Sequence, residues 1–365
     1  VELSVTVAAD LTEVDQPNWD RLAAGFYQSY RWLRAVHDDP GVESSYLLAH
    51  RGDTLVGALP IFDVSREGNS FYAPARHHAA LTGSGHWLLA GTRRGYRNGL
   101  LCADADRRAV LAILLAAARE LAADRGADGL VWMFAPTPAA AALRDFGAVA
   151  AFDTVDASIT ANNWDEYESA LSGRRRAATR RERRRFAAAG YDVAEQSLAT
   201  CWKPLAELVS QVQKKHGHGT TAEQMRDVLA RQLEVLGPDS LVITIERDGA
   251  LVAGALDYRF GDTLYGRMVG FDYPRLVDAY EYFNLVYYLP IERLPSLGLR
   301  RLHLGIEAEA VKVERGAQLD PLWTVALPTR ETILAPAKET VDRAAGWRRA
   351  YGPDVLPPDR WDVSW

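Results

Sequence analysis

The sequence predicts an α/β protein made of two tandem mixed-sheet units with flanking helices. Three observations carry that expectation. Two stretches read as β-hairpins, YLLAHRGDTLVGALPIF in the first half and LVITIERDGALVAGALDYRF in the second, with strand-rich runs broken by Gly-Asp and Arg-Asp-Gly turns. Each is followed by a long helix, a strand, a short helix and a final strand. Both also carry the same short string, VGAL at Val56 to Leu59 and VAGAL at Val252 to Leu256, with one residue more in the second. A match in corresponding places of two similar layouts points to a duplicated unit.

In the first half, the elements expected in order are a strand at Leu3 to Val7, a helix at Trp19 to Ala24 capped by Asn18, and a helix at Tyr30 to Val36. The hairpin strands Ser45 to Arg51 and Thr54 to Val64 follow. Residues 70–100 are rich in Gly, His and Arg and lack periodicity, so long loops around short strands are expected there. Next come a helix at Arg107 to Ala123, a buried strand at Gly129 to Phe134, a helix at Pro138 to Phe146 and a strand at Val149 to Ile159.

The second half opens with a helix at Trp164 to Leu171 and an arginine-rich segment, then a strand at Tyr191 to Glu195 and helices at Trp202 to Lys215 and Thr221 to Leu236. Three strands are expected at Leu241 to Glu246, Leu251 to Arg259 and Thr263 to Val269. A long helix at Asp278 to Leu294, a strand at Arg301 to Leu304, a short helix near Ala308, a strand at Trp323 to Leu327 and a helix at Glu331 to Ala345 complete the chain. The division this implies is 1–160, 161–327 and a C-terminal helix and tail at 328–365.

Composition narrows the class. The chain has 365 residues, 48% hydrophobic and 25% charged, which suits a globular protein long enough for two cores. No apolar run approaches the ~20 residues that span a bilayer. The start, VELSVTVAAD, lacks a basic region and a long apolar core, so no signal peptide is expected. Cys102 and Cys201 have no motif spacing, which fits a reducing cytoplasm, and the eight histidines form no ligand pattern, so no metal is expected. The ten tryptophans and fifteen tyrosines fit either aromatic-lined clefts or filled cores.

The stretch LSGRRRAATRRERRRFAAAG, Leu171 to Gly190, stands apart. Eight of the twelve residues from Arg174 to Arg185 are arginine and only Glu182 is acidic, so the segment carries +7 in a chain of net charge −6, leaving −13 for the remainder. The alanines favour helix and Gly190 is placed to end it. Mutual repulsion disfavours such a helix unless acidic side chains or an anion lie against it. A charge run of this kind is ordinarily a solvated face or a partner for the chain's own carboxylates. Its density, and the choice of arginine, whose fork suits phosphate, favour an RNA backbone or a diphosphate-bearing ligand. Arg174, Arg175, Arg176, Arg180, Arg181, Arg183 and Arg184 are the candidate phosphate contacts.

This layout resembles the GNAT acyltransferase fold, and its tandem form resembles the Fem family of non-ribosomal peptidyltransferases. The segment that follows the helix start at Trp164 to Ser172 is similar to the S-x-[KR]-x-R-x-x-x-R-R stretch of Fem-like proteins. LVAGALDYRFGDTLYGRMVGFD resembles their second GNAT unit, AYEYFNLVYYLPIERLPSLGLRRLHLG the helix-turn-strand after it, and EAVKVERGA (Glu309 to Ala317) their F-K-x-x-F-G tract, with Lys312 at the lysine position. Val311 departs from that pattern, standing where an aromatic residue is usual. The long two-helix arm of some Fem proteins has no equivalent, since Trp164 to Gly190 is too short, so an acceptor other than a cell-wall precursor is open to it. In Fem-like proteins the C-terminal segment packs back on the first unit.

The resemblance implies an aminoacyl ester of tRNA as acyl donor and a small amine as acceptor, with no other cofactor. Aminolysis passes through a tetrahedral oxyanion that needs positive charge or hydrogen-bond donors. Lys312 meets that need as catalytic candidate, and Arg315 is its neighbour, though each is equally readable as a surface cation. His216, in the loop QKKHGHGTT with Lys214, Lys215 and His218, is a candidate general base; an exposed interhelix loop is the plainer reading. Tyr265, a further catalytic candidate, falls with the substrate-binding candidates Arg267, Asp272, Tyr280 and Asn284 where GNAT folds bind ligands, although most of the stripe from Tyr280 to Tyr288 is expected to be core. His303 and Glu307 are expected to orient Lys312 or to satisfy each other, and Arg76, His77 and His78 are weaker acceptor-binding candidates. The Q/R-x-x-G-x-G/A acetyl-CoA signature is absent; the nearest run, Arg93 to Gly99, has the wrong spacing. Acyl-CoA remains the alternative donor, and a non-catalytic nucleic-acid-binding protein a third reading.

Overall fold

In the computed structural model, residues 2–37, 42–74, 81–83, 85–329 and 338–361 are described. Arg76, His77 and His78 lie outside them. The chain divides into two compact units, Val1–Asp156 with Leu319–Trp365, and Ala157–Gln318.

The first unit begins with β1 (Leu3–Ala8), α1 (Gln16–Asp20) and α2 (Tyr30–His37). Asp15, not Asn18, caps α1: the Asp15 carboxylate accepts the Asn18 backbone N–H, because Pro17 in the first turn starts the helix ahead of Asn18. β2 (Glu43–Arg51) and β3 (Thr54–Asp63) form the expected hairpin, and β4 (Trp87–Ala90) pairs with β3. β5 (Leu101–Cys102), α3 (Arg107–Asp124), β6 (Gly129–Pro136) and α4 (Thr137–Arg144) follow. β7 (Val149–Thr160) carries the chain out of the unit, and Leu319–Trp365 brings it back. The returning strand runs antiparallel to β6, Leu322 opposite Pro136 and Leu327 opposite Leu130, which is why the chain beyond Leu319 packs in this unit and not with the residues before it. Its cores take up the tryptophans: Trp19, Trp32, Trp132, Trp323 and Trp361 are all under 2% exposed. Three of them place the indole N–H on an acceptor, Gln28 O, Arg93 O and Thr137 Oγ1 respectively for Trp19, Trp32 and Trp323.

The second unit contains α5 (Trp164–Ala170), α6 (Gly173–Ala187), β8 (Asp192–Gln196), α7 (Leu198–Lys215) and α8 (Ala222–Leu236). β9 (Ser240–Arg247), β10 (Ala250–Phe260) and β11 (Thr263–Phe271) form an antiparallel meander with β8 at its outer edge. A helical run, here α9, starts at Glu281–Phe283, loosens into a π-turn at Asn284–Tyr288 and closes at Leu289–Arg293. It starts three residues later than the sequence suggests, because Asp278 and Tyr280 sit at φ 57° and 61°. β12 (Arg301–Gly305) then returns parallel to β11, and α10 (Glu309–Glu314) precedes β13 (Gln318–Pro328). A C-terminal helix, α11, spans Lys338–Ala350; the start of the helix expected from Glu331 lies outside the described residues.

The shared VxGAL string has a packing reason in each unit. A Cβ on Gly57 of β3 would stand 2.3 Å from Val110 of α3, and one on Gly254 of β10 would stand 3.0 Å from Leu205 of α7. A helix closes on the bare backbone in both places.

Candidate active site

Among the strand registers described, one parallel pair lies in each unit, and each pair diverges. In the first unit β4 and β6 stay in register only to Leu89 opposite Val131. The gap beyond is filled by the chain itself. The Asn98 backbone N–H donates to Phe134 O at 2.8 Å on one strand and its Nδ2 donates to Ala90 O at 2.8 Å on the other. Gly91 presses so closely that a Cβ there would stand 2.0 Å from Asn98 Oδ1. The loop carrying Asn98 is pinned as well: Arg93 donates to Glu67 at 2.6 Å and Arg97 reaches Asp156 at 3.0 Å and Asp320 at 2.9 Å. Arg93 to Gly99 is thus a plug in the sheet.

In the second unit β11 and β12 stay in register from Thr263–Arg301 to Tyr265–His303 and then part. At the parting point β11 bulges. Leu256 of β10 opposes Met268 and Asp257 opposes Gly266, so Arg267 is the extra residue. Bulges re-aim side chains and are over-represented beside active sites. Gly266 to Val269 are half-buried where the rest of β11 is buried, so the divergence is open to solvent. Tyr265 and His303 lie side by side, ring centroids 4.9 Å apart. Asp257 is 4% exposed, its Oδ2 has no hydrogen-bond partner among the described residues, and burial alone pushes its carboxyl up to about 8.

A cleft of about 710 Å³ opens in the same unit between α6 and the end of α10. One wall is the face of α6 bearing Arg174, Ala177, Ala178 and Arg181, and the other is Val313, Glu314 and Gly316. The arginine-rich segment is helical, as its alanines indicate, with Ser172 as N-cap. Its charges are sorted by partner. Arg180 bonds Glu168 at 2.6 Å, Arg183 pairs with Glu292 and lies 3.9 Å over the Trp164 ring, and Arg185 reaches Asp278 at 3.5 Å. Arg176 donates to Leu171 O at 3.1 Å. Arg175 turns inward to Glu182 and to Tyr288 Oη, 3.2 Å away. Glu182 is 4% exposed and also accepts the Tyr288 hydroxyl, with Arg315 3.5 Å away. Burial, and then the bond to Glu182, hold the Tyr288 hydroxyl above its ordinary pKa. That leaves Arg174, Arg181 and Arg184, exposed and with no side-chain partner among the described residues; the first two face the cleft.

The other candidates fall into three groups. Tyr265 and Arg267 meet at the strand divergence. Lys312 and Arg315 belong to the scaffold between divergence and cleft. Lys312 is 5% exposed and its ammonium donates to Gly305 O at 2.9 Å and Ile306 O at 2.7 Å, clamping the turn where Glu307 and Ala308 are left-handed. Arg315, 2% exposed, stacks 3.4 Å from the Phe283 ring centroid; it is a buried cation, which the surface reading missed because its acid partner lies far away in sequence. Asn284 is also interior, its Nδ2 donating to Tyr280 O at 2.9 Å and so steadying the left-handed Tyr280. The third group is at the surface. His216 is exposed at the C-cap of α7, Lys215 lies 3.9 Å over the Tyr273 ring, Asp272 pairs with Arg275 at 3.4 Å, and Glu307 is exposed. Asp257 was not singled out from sequence: a lone aspartate in a strand gives no sign of burial, and only the bulge places it.

No helix among the described residues is long and apolar enough to cross a membrane. A FemAB-like family model, described as peptidoglycan biosynthesis/recognition, matches residues 10–333. The chain aligns with the crystal structure of FemX at a TM-score of 0.64 and 11% identity, over 86% of this chain and 96% of that one. It aligns with a conserved protein of unknown function from Bacteroides thetaiotaomicron VPI-5482 at 0.57 and 14%, over 89% and 100%. A tandem GNAT protein from the clavulanic acid biosynthesis pathway aligns at 0.51 and 15%, over 91% and 100%. No curated protein sequence matches. These likenesses give the fold, two tandem GNAT-like units of mixed α/β architecture.

Proposed function

The chain belongs to the FemAB-like family, and from that premise we propose that it is an aminoacyltransferase, forming an amide between an amino acid carried on tRNA and a small amine acceptor. Membership supports the aminoacyl-transfer class; the donor and acceptor are our reading. The observation that carries the donor is the pair Arg174 and Arg181, set free on a cleft while their neighbours are neutralised by the chain's own acids. Seven residues apart on one helix, they stand about 10 Å apart along the axis, so each guanidinium can take a separate phosphate of one backbone. In the reaction the acceptor nitrogen attacks the ester carbonyl carbon and the carbon–oxygen bond to the ribose breaks. The nitrogen loses a proton and the ribose oxygen gains one. Tyr265 and Arg267 at the strand divergence line the path of the ester, and Lys312 acts by fixing the Gly305–Ile306 turn beside it. Our reading of its setting is specialised-metabolite assembly in the cytoplasm, because Trp164 to Gly190 is too short for the long two-helix arm of some Fem proteins. Filter binding of total charged tRNA at low and moderate salt, with excess acetyl-CoA present, tests this. Salt-sensitive retention that CoA leaves intact supports it; displacement by CoA transfers the cleft to an acyl-CoA diphosphate, and absent retention removes the tRNA donor.

A further inference from the structure

The aromatic rings around α9 are sorted by burial. Tyr287 and Tyr288 are fully enclosed, as core residues are. Five others, Phe271, Tyr273, Tyr280, Tyr282 and Phe283, gather where β11 ends and α9 begins. Their ring centroids follow one another: Tyr273 to Phe271 at 5.9 Å, Phe271 to Tyr282 at 6.2 Å, Tyr282 to Phe283 at 5.6 Å, and Phe283 to a nearly parallel Tyr280 at 6.3 Å. Of the five, Phe271 alone is buried. Tyr273, Tyr280 and Phe283 are half-buried, and Tyr282 is 38% exposed, the one aromatic among the exposed large hydrophobic side chains of the described residues. A lone exposed apolar side chain says little, but a contiguous cluster of half-covered rings marks a surface that something covers.

The cations indicate what covers it. Lys215 of α7 lies 3.9 Å from the Tyr273 ring centroid and Arg185 of α6 lies 5.5 Å from that of Tyr280, so both ends of the cluster carry positive charge. The nearby carboxylates Asp272 and Asp278 already pair with Arg275 and Arg185. The three arginines of α6 without a side-chain partner, Arg174, Arg181 and Arg184, step along about 15 Å of helix from the cleft toward its end at this cluster. Rings at the end of a cationic track suit a ligand that alternates flat π-faces with negative charge, which is single-stranded nucleic acid. We propose that the cluster is a stacking platform for the unpaired terminal bases of an RNA whose phosphates follow Arg174, Arg181 and Arg184. This rests on the reading of α6 as a tRNA-phosphate surface and deepens it by saying where the single-stranded end goes. Phe271 ends β11, the strand that parts from β12, so a base stacked there holds the end of the RNA on the element that carries Tyr265 and Arg267.

The test titrates the full chain, at low salt, into a short single-stranded RNA carrying 2-aminopurine as its 3′-terminal base, whose fluorescence falls when the base stacks on a ring. We expect saturable quenching, no further quenching of the blunt duplex of the same sequence, and no recovery on adding excess CoA. Tyr282→Phe keeps the ring and should keep the affinity. Tyr282→Ala and Tyr280→Asn should each weaken binding by at least about fivefold. Asparagine is chosen at position 280 because it also takes the left-handed backbone found there. Tyr282→Ala truncates an exposed side chain, so the test survives if the other variant fails to fold. Binding without quenching, unchanged affinity in both ring-deleting variants, or full displacement by CoA overturns the proposal. The RNA carries no amino acid, so its result is separate from that of the transfer. Quenching with no amide product from charged tRNA would leave the platform standing and remove the aminoacyltransferase; amide product with unchanged quenching in both variants would do the reverse.

Discussion

Replacing Arg174 and Arg181 together by glutamine separates the two roles of the arginine helix. Both side chains are exposed, line the cleft and have no partner among the described residues, so their removal should change stability by no more than about 0.5 kcal/mol. If each neutralises one RNA phosphate, the slope of log K against log salt falls in magnitude by about 0.7 to 0.9 per contact, roughly 1.6 for the pair. A fourfold rise in salt would then weaken wild-type binding by about ninefold more than it weakens the variant. The control is Arg180→Gln with Arg183→Gln, the same charge change on the same helix, but at side chains already committed to Glu168 and Glu292. Its slope should stay near the wild-type value. The assay is filter binding of charged tRNA across a salt series. Equal slopes for wild type and the Arg174/Arg181 variant, or an equal fall in the control, would refute the sorting of these arginines by partner.

Three further outcomes follow from the interior of the second unit. Glu182→Gln leaves Arg175 facing a neutral amide in a buried cluster, and should lower stability by about 3 kcal/mol in a denaturant melt, against nearly nothing if the cluster were solvated. Lys312→Met removes a donor from two carbonyls and should cost about 1–3 kcal/mol, read by the same melt, so a loss of activity at unchanged stability would make Lys312 a reacting group instead of a clamp. Asp257 has a pKa of about 8 folded against 3.8 unfolded, so between those values the folded state holds a proton that the unfolded state lacks. Stability should therefore fall as pH rises through that window, by up to about 1.4 kcal/mol per unit, and level off above it; melts across the window should show that slope in wild type and a flatter profile in Asp257→Asn.

Much of the fold is legible in the sequence because its signals are local. The period-two runs gave both hairpins, and Gly52 and Gly249 take the positive φ that their turns require. The helix expected at Thr221 to Leu236 is α8, started by a capping box that Thr221 and Gln224 close within four residues. What was not legible is set by distance along the chain. Arg183 and Glu292, or Arg315 and Glu182, are ion pairs between residues more than a hundred positions apart, so the sequence could not tell which arginines were already spent. The strand beyond Leu319 looks like the end of the second unit until its pairing with β6 is seen. The bulge at Arg267 depends on β10 opposite it, and with it the burial of Asp257.

Transfer of an amino acid from tRNA to an amine can be followed directly. The direct measurement uses total tRNA charged with radiolabelled amino acids, incubated with the protein and a mixture of small amines, and follows label into product that survives mild alkali. Esters of tRNA are cleaved under those conditions and amides are not. An aminoacyltransferase gives alkali-stable label that disappears when the tRNA is first treated with RNase and is unaffected by added CoA. Label that stays alkali-labile, or product that forms only from an acyl-CoA, would contradict it.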